Sequence, residues 1–188
     1  MEQQYDVVIA GAGPVGLTLA IDLGRRGVKC LIVERESTTG PWPKMDRSNA
    51  RTMEIYRRMG LADRIRALGY PADAAMNVFI VTRLCDPPLA VLHYPSVAEC
   101  RDAGASHRGI GEPLEPYQLV SQNKLEPLLK EVAEETPNVT VRYACALDGF
   151  TQDCDGVAVT LAPANGAKEY ARAAYLVGCD GGSSLVRK

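Results

Sequence analysis

Three glycines stand at fixed spacing near the start of the chain, in a pattern typical of turns that approach phosphate groups. The segment reads Gly11-Ala-Gly13-Pro14-Val-Gly16 and follows the apolar stretch 5–10. In this pattern Gly11 allows a tight turn from strand to helix, Gly13 lets a pyrophosphate approach the backbone, and Gly16 lets the helix pack near the strand. The N-terminus of the helix then offers unpaired N–H groups and a partial positive charge to the phosphates.

A carboxylate stands where such a site binds a ribose. Lys29 and the apolar residues 30–33 are followed by Glu34. It stands roughly 20 residues after the glycines, which is the spacing expected for an acid that accepts hydrogen bonds from ribose hydroxyls. A Gly-x-Gly-x-x-Gly pattern alone is weak and fits an ordinary β-α-β unit. The flanking strands, the helix and the acid together favour a dinucleotide site over residues 5–34.

The composition of the chain excludes several classes of function. The 188 residues carry a net charge of −2, so no nucleic-acid or anionic-membrane partner is expected. No apolar run approaches the ~18 residues of a membrane span, and the acidic start is unlike a secretory signal. The six cysteines are scattered and form no C-x-x-C pair. We therefore expect a reduced, cytoplasmic protein without a metal site.

The remaining elements follow from hydrophobic spacing and turn residues. Predicted helices cover 50–59, capped by Ser48 or Asn49, then 61–68 and 122–135; predicted strands cover 77–82 and 90–94; predicted loops cover 35–48 and 96–117. An antiparallel meander is expected over 139–143, 146–150, 157–161 and 169–175, and 176–179 is expected to return to the nucleotide sheet as a separate short buried strand. The fold class is α/β, a Rossmann-like domain with a β-α-β start and a small antiparallel β excursion. After Asp180 the chain resembles a Gly-rich turn and the start of a helix, so we expect it to be part of a longer protein.

Three stretches together resemble the flavin-dependent aromatic hydroxylases of the para-hydroxybenzoate hydroxylase type. They are the glycine pattern with Glu34-Arg35, the Arg-rich segment 47–60, and Gly178-Cys-Asp180-Gly181. A weaker match covers 118–129, where a Gln opens a helix beside the flavin in that family. The glycine pattern occurs in many nucleotide-binding proteins, but its combination with the other two stretches is more specific.

The resemblance implies an FAD-binding domain over residues 1–188, with 70–120 inserted toward the substrate. It implies hydroxylation of a phenolic or other aromatic small molecule with NAD(P)H and O₂, and a homodimer is one possible assembly. Family members are about twice as long, with a later Gly-Asp motif and a substrate sheet, so we expect the isolated 188 residues to be inactive.

The resemblance also implies roles for five polar residues. Arg47 would lie by the flavin, and Arg51 would contact phosphate or the loop. Gln122 would bind the ribityl or phosphate region, Asp180 would support the cofactor loops, and Arg35 would reach the adenosine side. Each has a plain alternative, as a solvated or capping side chain or, for Asp180, as a structural Asp-Gly turn. The candidate cofactor residues are Gly11, Gly13, Pro14, Gly16, Glu34, Arg35, Arg47, Arg51, Gln122 and Asp180.

Other functions stay open on the sequence alone. No catalytic residue is predicted, because His93 and His107 stand at no signature spacing from an acid or a serine. A related FAD enzyme such as a halogenase, an epoxidase or a reductase shares the first and third stretches. An NAD-dependent dehydrogenase would need regular β-α alternation, which the predicted elements lack. A non-catalytic nucleotide-binding fragment is the third alternative.

Overall fold

A computed structural model describes residues 3–106 and 113–188, and the chain divides into two compact units. The first unit comprises residues 1–44 and 122–188, and the second comprises residues 45–121. In the described residues the elements, in chain order, are β1 (Gln3–Ala10), α1 (Pro14–Arg25), β2 (Cys30–Val33), β3 (Arg47–Ser48), α2 (Ala50–Arg58), α3 (Ala62–Leu68), β4 (Val78–Ile80), β5 (Ala90–Leu92), α4 (Val97–Ser106), β6 (Gln118–Leu119), α5 (Gln122–Glu135), β7 (Val139–Arg142), β8 (Cys145–Asp153), β9 (Gly156–Pro163) and β10 (Glu169–Gly178).

The first unit is built on a sheet of six strands in the order β7-β2-β1-β10-β9-β8. Strands β7, β2, β1 and β10 run parallel to one another, and β9 and β8 continue the sheet in antiparallel pairing. The crossovers through α1 and α5 join parallel strands, as α/β folds require. The predicted α/β class is therefore confirmed.

Two details of the predicted meander are wrong. The strand at 139–143 does not join it: β7 lies at the opposite end of the sheet, parallel to β2, with Cys30 opposite Val139. The stretches 169–175 and 176–179 form one strand, β10, because no turn residue separates them. Both edges of this strand form hydrogen bonds with neighbouring strands. One edge pairs with β1 as far as Gly178, and the other pairs with β9.

One part of the core of the first unit lies between the sheet and helices α1 and α5, and another is a cluster of strand residues that includes Val8, Leu31 and Val159. Helix α5 begins and ends where the sequence predicts, and its buried stripe includes Leu125 and Leu129. Leu17 and Ile21 of α1 are fully buried as well. Close packing sets the position of α1, since a Cβ on Gly24 would meet the backbone and side chains at 136–139. Apolar burial on this scale is the main stabilising contribution to the unit.

The second unit contains helices α2, α3 and α4 and two short strand pairs, β3 with β6 and β4 with β5. Asn49 caps α2, as predicted, by accepting a hydrogen bond from the Thr52 N–H at 2.8 Å. The predicted loop 35–48 ends in strand β3, because Arg47 and Ser48 pair with Leu119 and Gln118.

The predicted loop 96–117 contains helix α4, and this prediction is corrected. Ser96 and Glu99 form a reciprocal capping box: the Glu99 N–H donates to Ser96 Oγ at 3.2 Å, and the Ser96 N–H donates to Glu99 Oε2 at 2.7 Å. The part of the predicted loop at 107–112, which includes His107, lies outside the described residues. The same residues of the predicted insertion 70–120 therefore also lie outside them. Within the described residues, no helix has the length and apolarity needed to cross a membrane.

Candidate functional site

The carboxyl ends of the four parallel strands meet at one edge of the sheet, and the residues that follow them form a cleft. Gly11 follows β1, Glu34 follows β2, Tyr143 follows β7, and Cys179-Asp180 follows β10. Ligands of open α/β sheets bind at this edge. The cleft belongs to the first unit and has a volume of about 540 Å³, within the range of small-molecule sites.

Gly11 and Gly16 allow the turn and the close packing behind the cleft. Gly11 has φ of +100°, and a Cβ there would lie 2.5 Å from the carbonyl oxygen of Cys179. A Cβ on Gly16 would run into the Gly11 carbonyl and would lie 3.2 Å from Cys179 Cβ. The two glycines therefore bring β1, the start of α1 and the end of β10 together, which only residues without a side chain permit.

Gly13 stands in a different environment, facing open space. It is the N-cap of α1, with extended backbone at φ −73° and ψ −178°, and Pro14 is the first residue of the helix. Beyond its chain neighbours, the described residues offer a Cβ on Gly13 one atom within 4 Å, Glu126 Oε1 at 3.8 Å. No side chain caps the helix and its first turn holds no acid. Its N–H groups and positive end therefore face the cleft without a competing anion from that turn.

The Glu34 carboxylate ties the glycine turn to the loop that follows β2. The Ala12 N–H donates to Glu34 Oε2 at 2.9 Å, and the Glu36 N–H donates to Glu34 Oε1 at 3.1 Å. Each carboxylate oxygen has a second lone pair for a ligand hydroxyl. The neighbouring Arg35 also lines the cleft, with its guanidinium 3.3 Å from Glu36.

The loop 35–44 forms one wall of the cleft, and the first turn of α5 holds it. The Gln122 amide accepts a hydrogen bond from the Lys44 N–H at 2.7 Å and donates one to Glu126 Oε1 at 2.5 Å. Glu126 was not predicted as a site residue. It is buried on the apolar stripe of α5, and an acid on such a stripe was the signal in the sequence. Trp42 in the same loop is 83% exposed and lines the cleft.

Asp180 fixes the turn that follows β10. Its Oδ2 accepts a hydrogen bond from the Leu185 N–H at 2.7 Å. Burial alone would raise the pKa of this carboxyl group, but hydrogen bonds from the Ser184 hydroxyl and from backbone N–H groups outweigh it and hold the pKa below its ordinary value. Asp180 is thus an anion at neutral pH that organises the 180–185 turn at the cleft.

Tyr143 is a cleft residue that the sequence analysis missed. Its hydroxyl is buried and finds no hydrogen-bond partner within the described part of the chain. Burial, with smaller contributions from the negative charges of Glu126 and Glu34, raises the pKa of the phenol well above its ordinary value, so the group keeps its proton. A buried donor without a partner is costly unless a ligand or water completes it. Tyr143 could not be found from the sequence, because the parallel pairing of β7 with β2, which brings it to this edge, is visible only in the structure.

The cleft contains seven of the ten predicted cofactor residues. Its lining includes Gly11, Gly13, Pro14, Glu34, Arg35, Gln122 and Asp180. Gly16 packs behind it, as described above. Arg47 and Arg51 belong to the second unit. In residues 3–106 and 113–188, no cluster of three or more His, Cys, Asp or Glu side chains is arranged to hold a metal ion.

In the second unit, Arg47 and Arg51 are both exposed. Arg47 extends from β3 with its guanidinium 5.2 Å from the centre of the Tyr117 ring, a cation–π contact. Arg51 lies in the first turn of α2. Neighbouring strand β6 is held by a buried network in which Arg66 donates to Glu115 Oε2 at 2.6 Å and to Gln118 Oε1 at 2.9 Å.

The geometry of the cleft in the first unit fits a bound dinucleotide. The open space at Gly13, the uncapped start of α1 and the unpaired Tyr143 hydroxyl all meet at one cleft. Comparison with known proteins gives the same result. The model of the FAD binding domain family matches residues 4–188. The chain belongs to this family.

This FAD binding domain is similar to enzymes of known activity. It is 35% identical over 97% of its length to the FAD-dependent monooxygenase apdD of Emericella nidulans, and 35% identical over its whole length to aklavinone 12-hydroxylase RdmE of Streptomyces purpurascens. The crystal structure of the flavin-dependent monooxygenase PieE in complex with FAD and substrate matches 97% of the chain, with a TM-score of 0.85 and 31% identity. The resemblance to the FAD-dependent aromatic-ring monooxygenases is therefore confirmed.

The chain spans about a third of the length of these relatives. It covers 30% of apdD and 35% of RdmE, and 31% of the PieE chain.

Proposed function

We propose that this domain binds the FAD of a flavoprotein monooxygenase that hydroxylates a phenolic or other aromatic ring with NAD(P)H and O₂. The observation that carries the proposal is the cleft at the carboxyl edge of the parallel strands. There the start of α1, the open space at Gly13 and the Glu34 carboxylate have the order and spacing that a dinucleotide needs.

Different residues of the cleft bind different parts of the cofactor. The pyrophosphate lies at Gly13 and Pro14, where the backbone N–H groups of Gly13 and of the residues that follow Pro14, together with the helix dipole, stabilise its charge. Glu34 accepts hydrogen bonds from the adenosine ribose, and Arg35 lies toward the adenosine side. Gln122 and Asp180 bind or support the part of the cofactor that leads to the flavin.

The two arginines of the second unit complete the set of candidate residues. Arg47 is proposed to lie by the flavin and Arg51 to contact a phosphate or the adjoining loop, since a guanidinium is suited to phosphate oxygens. The bound flavin supplies the redox chemistry, while the protein supplies placement, electrostatics and exclusion of water.

Further features of the whole protein are proposed on the relatives. The relatives' names include an aklavinone 12-hydroxylase and a tetracenomycin B2 monooxygenase-dioxygenase, which supports an aromatic small molecule as substrate here. We also propose NAD(P)H as co-substrate and a homodimer as the assembly. The six free cysteines support a reduced, cytoplasmic location.

Spectroscopy and turnover of the full-length protein test the proposal. The purified protein should show the visible absorption of bound flavin, and added phenols or polycyclic aromatic compounds should accelerate NAD(P)H oxidation with incorporation of one oxygen atom from O₂ into the ring. Bound flavin with halide-dependent product, or with saturation of a double bond, would replace the hydroxylase by another enzyme of the superfamily. Absence of flavin would leave a non-catalytic nucleotide-binding module.

A further inference from the structure

We propose that Glu126 is a positioning residue that holds the loop 35–44 against the FAD cleft and fixes the orientation of the Gln122 amide. The inference rests on the proposed function, since it takes the cleft to be the FAD site. It concerns a residue that does not itself need to contact the cofactor. Glu126 acts by fixing the position of the loop 35–44, which forms a wall of the cleft, and by orienting the side-chain amide of Gln122.

The loop 35–44 depends on hydrogen bonds for its position because it contains no helix or strand. Two of its backbone N–H groups reach side chains of α5. The Gly40 N–H donates to Glu126 Oε2 at 3.3 Å, and the Lys44 N–H donates to Gln122 Oε1 at 2.7 Å. These two bonds lie four residues apart along the loop, so together they fix both its position and its course.

Both bonds depend on the Glu126 carboxylate. The first is direct. The second requires that the Gln122 amide present its oxygen, and not its NH₂ group, to the Lys44 N–H. Glu126 Oε1 enforces this orientation because a carboxylate only accepts, so the Gln122 Nε2 group turns toward it at 2.5 Å. Glu126 is 5% exposed, and a buried carboxylate without such donors would be strongly unfavourable.

The negative charge of Glu126 makes the proposal testable, because a repulsive role and a positioning role predict opposite changes in FAD affinity when that charge is removed. Its Oε1 lies 3.8 Å from the position of a Cβ on Gly13, where the proposed pyrophosphate approaches. A negative charge there repels a phosphate, so simple electrostatics predicts that Glu126→Gln tightens FAD binding. The positioning role predicts the reverse. A glutamine at 126 offers one oxygen and one NH₂ group to two donors, so one of the two loop contacts is lost.

The decisive experiment compares Glu126→Gln with Glu135→Gln in the full-length protein. Glu135 is exposed at the end of the same helix, and its variant removes the same charge. The first readout is the dissociation constant of FAD for the apoprotein. We expect Glu126→Gln to raise it about tenfold, the effect of losing one hydrogen bond to a charged group, and Glu135→Gln to leave it unchanged. Unchanged or tighter binding by Glu126→Gln overturns the proposal.

The second readout needs no cofactor. Trypsin cleavage after the exposed Lys44, followed by mass spectrometry in the apoprotein, reports release of the loop. It should be several-fold faster in Glu126→Gln than in wild type or Glu135→Gln, and an unchanged rate overturns the proposal. Should Glu126→Gln fail to fold, Gln122→Ala at the partly exposed end of α5 must itself speed this cleavage, and a wild-type rate there also overturns the proposal. A wild-type protein that binds no FAD refutes the proposed function, while the cleavage rates still decide whether Glu126 holds the loop.

Discussion

Gly13 can be substituted to separate cofactor binding from the stability of the fold, because the structure leaves room for a side chain there. Apart from chain neighbours, the described residues place one atom within 4 Å of a Cβ on Gly13, at 3.8 Å, and its backbone is extended. Alanine is a poorer N-cap than glycine by up to ~1 kcal/mol, but it also restricts the unfolded chain by ~0.4–1 kcal/mol. We therefore expect Gly13→Ala to leave the free energy of unfolding nearly unchanged.

The same substitution should strongly weaken FAD binding. A Cβ at Gly13 occupies the space through which the pyrophosphate would approach the start of α1. Loss of two charge-assisted hydrogen bonds to backbone N–H groups, each about 1.5–3 kcal/mol, corresponds to a rise in Kd of about 100-fold or more. The larger Gly13→Val variant should purify without flavin while its circular dichroism keeps the wild-type helix and strand content.

Gly11→Ala and Gly16→Ala provide the contrast. Gly11 has φ of +100° and a Cβ there would lie 2.5 Å from Cys179 O, whereas a Cβ on Gly16 would overlap the Gly11 carbonyl. Strain and overpacking of this kind cost about 1–3 kcal/mol each. Thermal unfolding of the full-length apoprotein should therefore show a lower Tm for both variants and a wild-type Tm for Gly13→Ala. Wild-type FAD affinity in Gly13→Ala, or a wild-type Tm in Gly11→Ala, would refute the reasoning.

Three further predictions follow from single contacts. Glu34→Ala should weaken FAD binding by about 1–3 kcal/mol in titrations of the apoprotein, the scale of a hydrogen bond to a charged group; unchanged affinity would contradict the ribose assignment. The lowered pKa of Asp180 means that its carboxylate stabilises the fold above its unfolded pKa of about 3.9 and loses this effect as the pH falls through the lower folded value; the stability difference between wild type and Asp180→Asn should thus be constant near neutrality and shrink below about pH 4, and a difference independent of pH would count against it. Arg66→Met should lower the free energy of unfolding by about 3–5 kcal/mol because it leaves the buried Glu115 carboxylate without its main partner, whereas Arg57→Met at a more exposed ion pair should change it by less than about 1 kcal/mol in denaturant titrations.

Local patterns predicted the nucleotide-binding half of the fold because its signals are short-range. The β-α-β unit, the cap at Asn49 and helix α5 each depend on residues within a few positions of one another. Helix α4 was missed although its capping box is also local, because the glycines and prolines that follow it outweighed Ser96 and Glu99. Local sequence patterns thus fail to predict a helix where helix-breaking and helix-favouring residues occur close together.

Strand partners could not be predicted, because pairing is decided by contacts distant in sequence. The residues at 139–142 are equally compatible with an antiparallel strand of a meander and with a strand that pairs in parallel with β2. That misplacement had a consequence for the site. With β7 assigned to the meander, Tyr143 had no reason to lie beside Glu34, and so the cleft lacked one of its walls.

Three of the four carboxylates that line the cleft hold backbone segments of its wall, which explains how a proposed anion site can contain them. Glu34 accepts from Ala12 N–H, Glu126 from Gly40 N–H, and Asp180 from Leu185 N–H. Each therefore fixes a backbone segment of the wall, and the N–H groups at the start of α1 remain for the phosphates. If the acids acted only as negative charges beside the cofactor, their amide variants would tighten the binding of an anionic cofactor. Because they serve as anchors, each amide variant should weaken it despite removing a repelling charge.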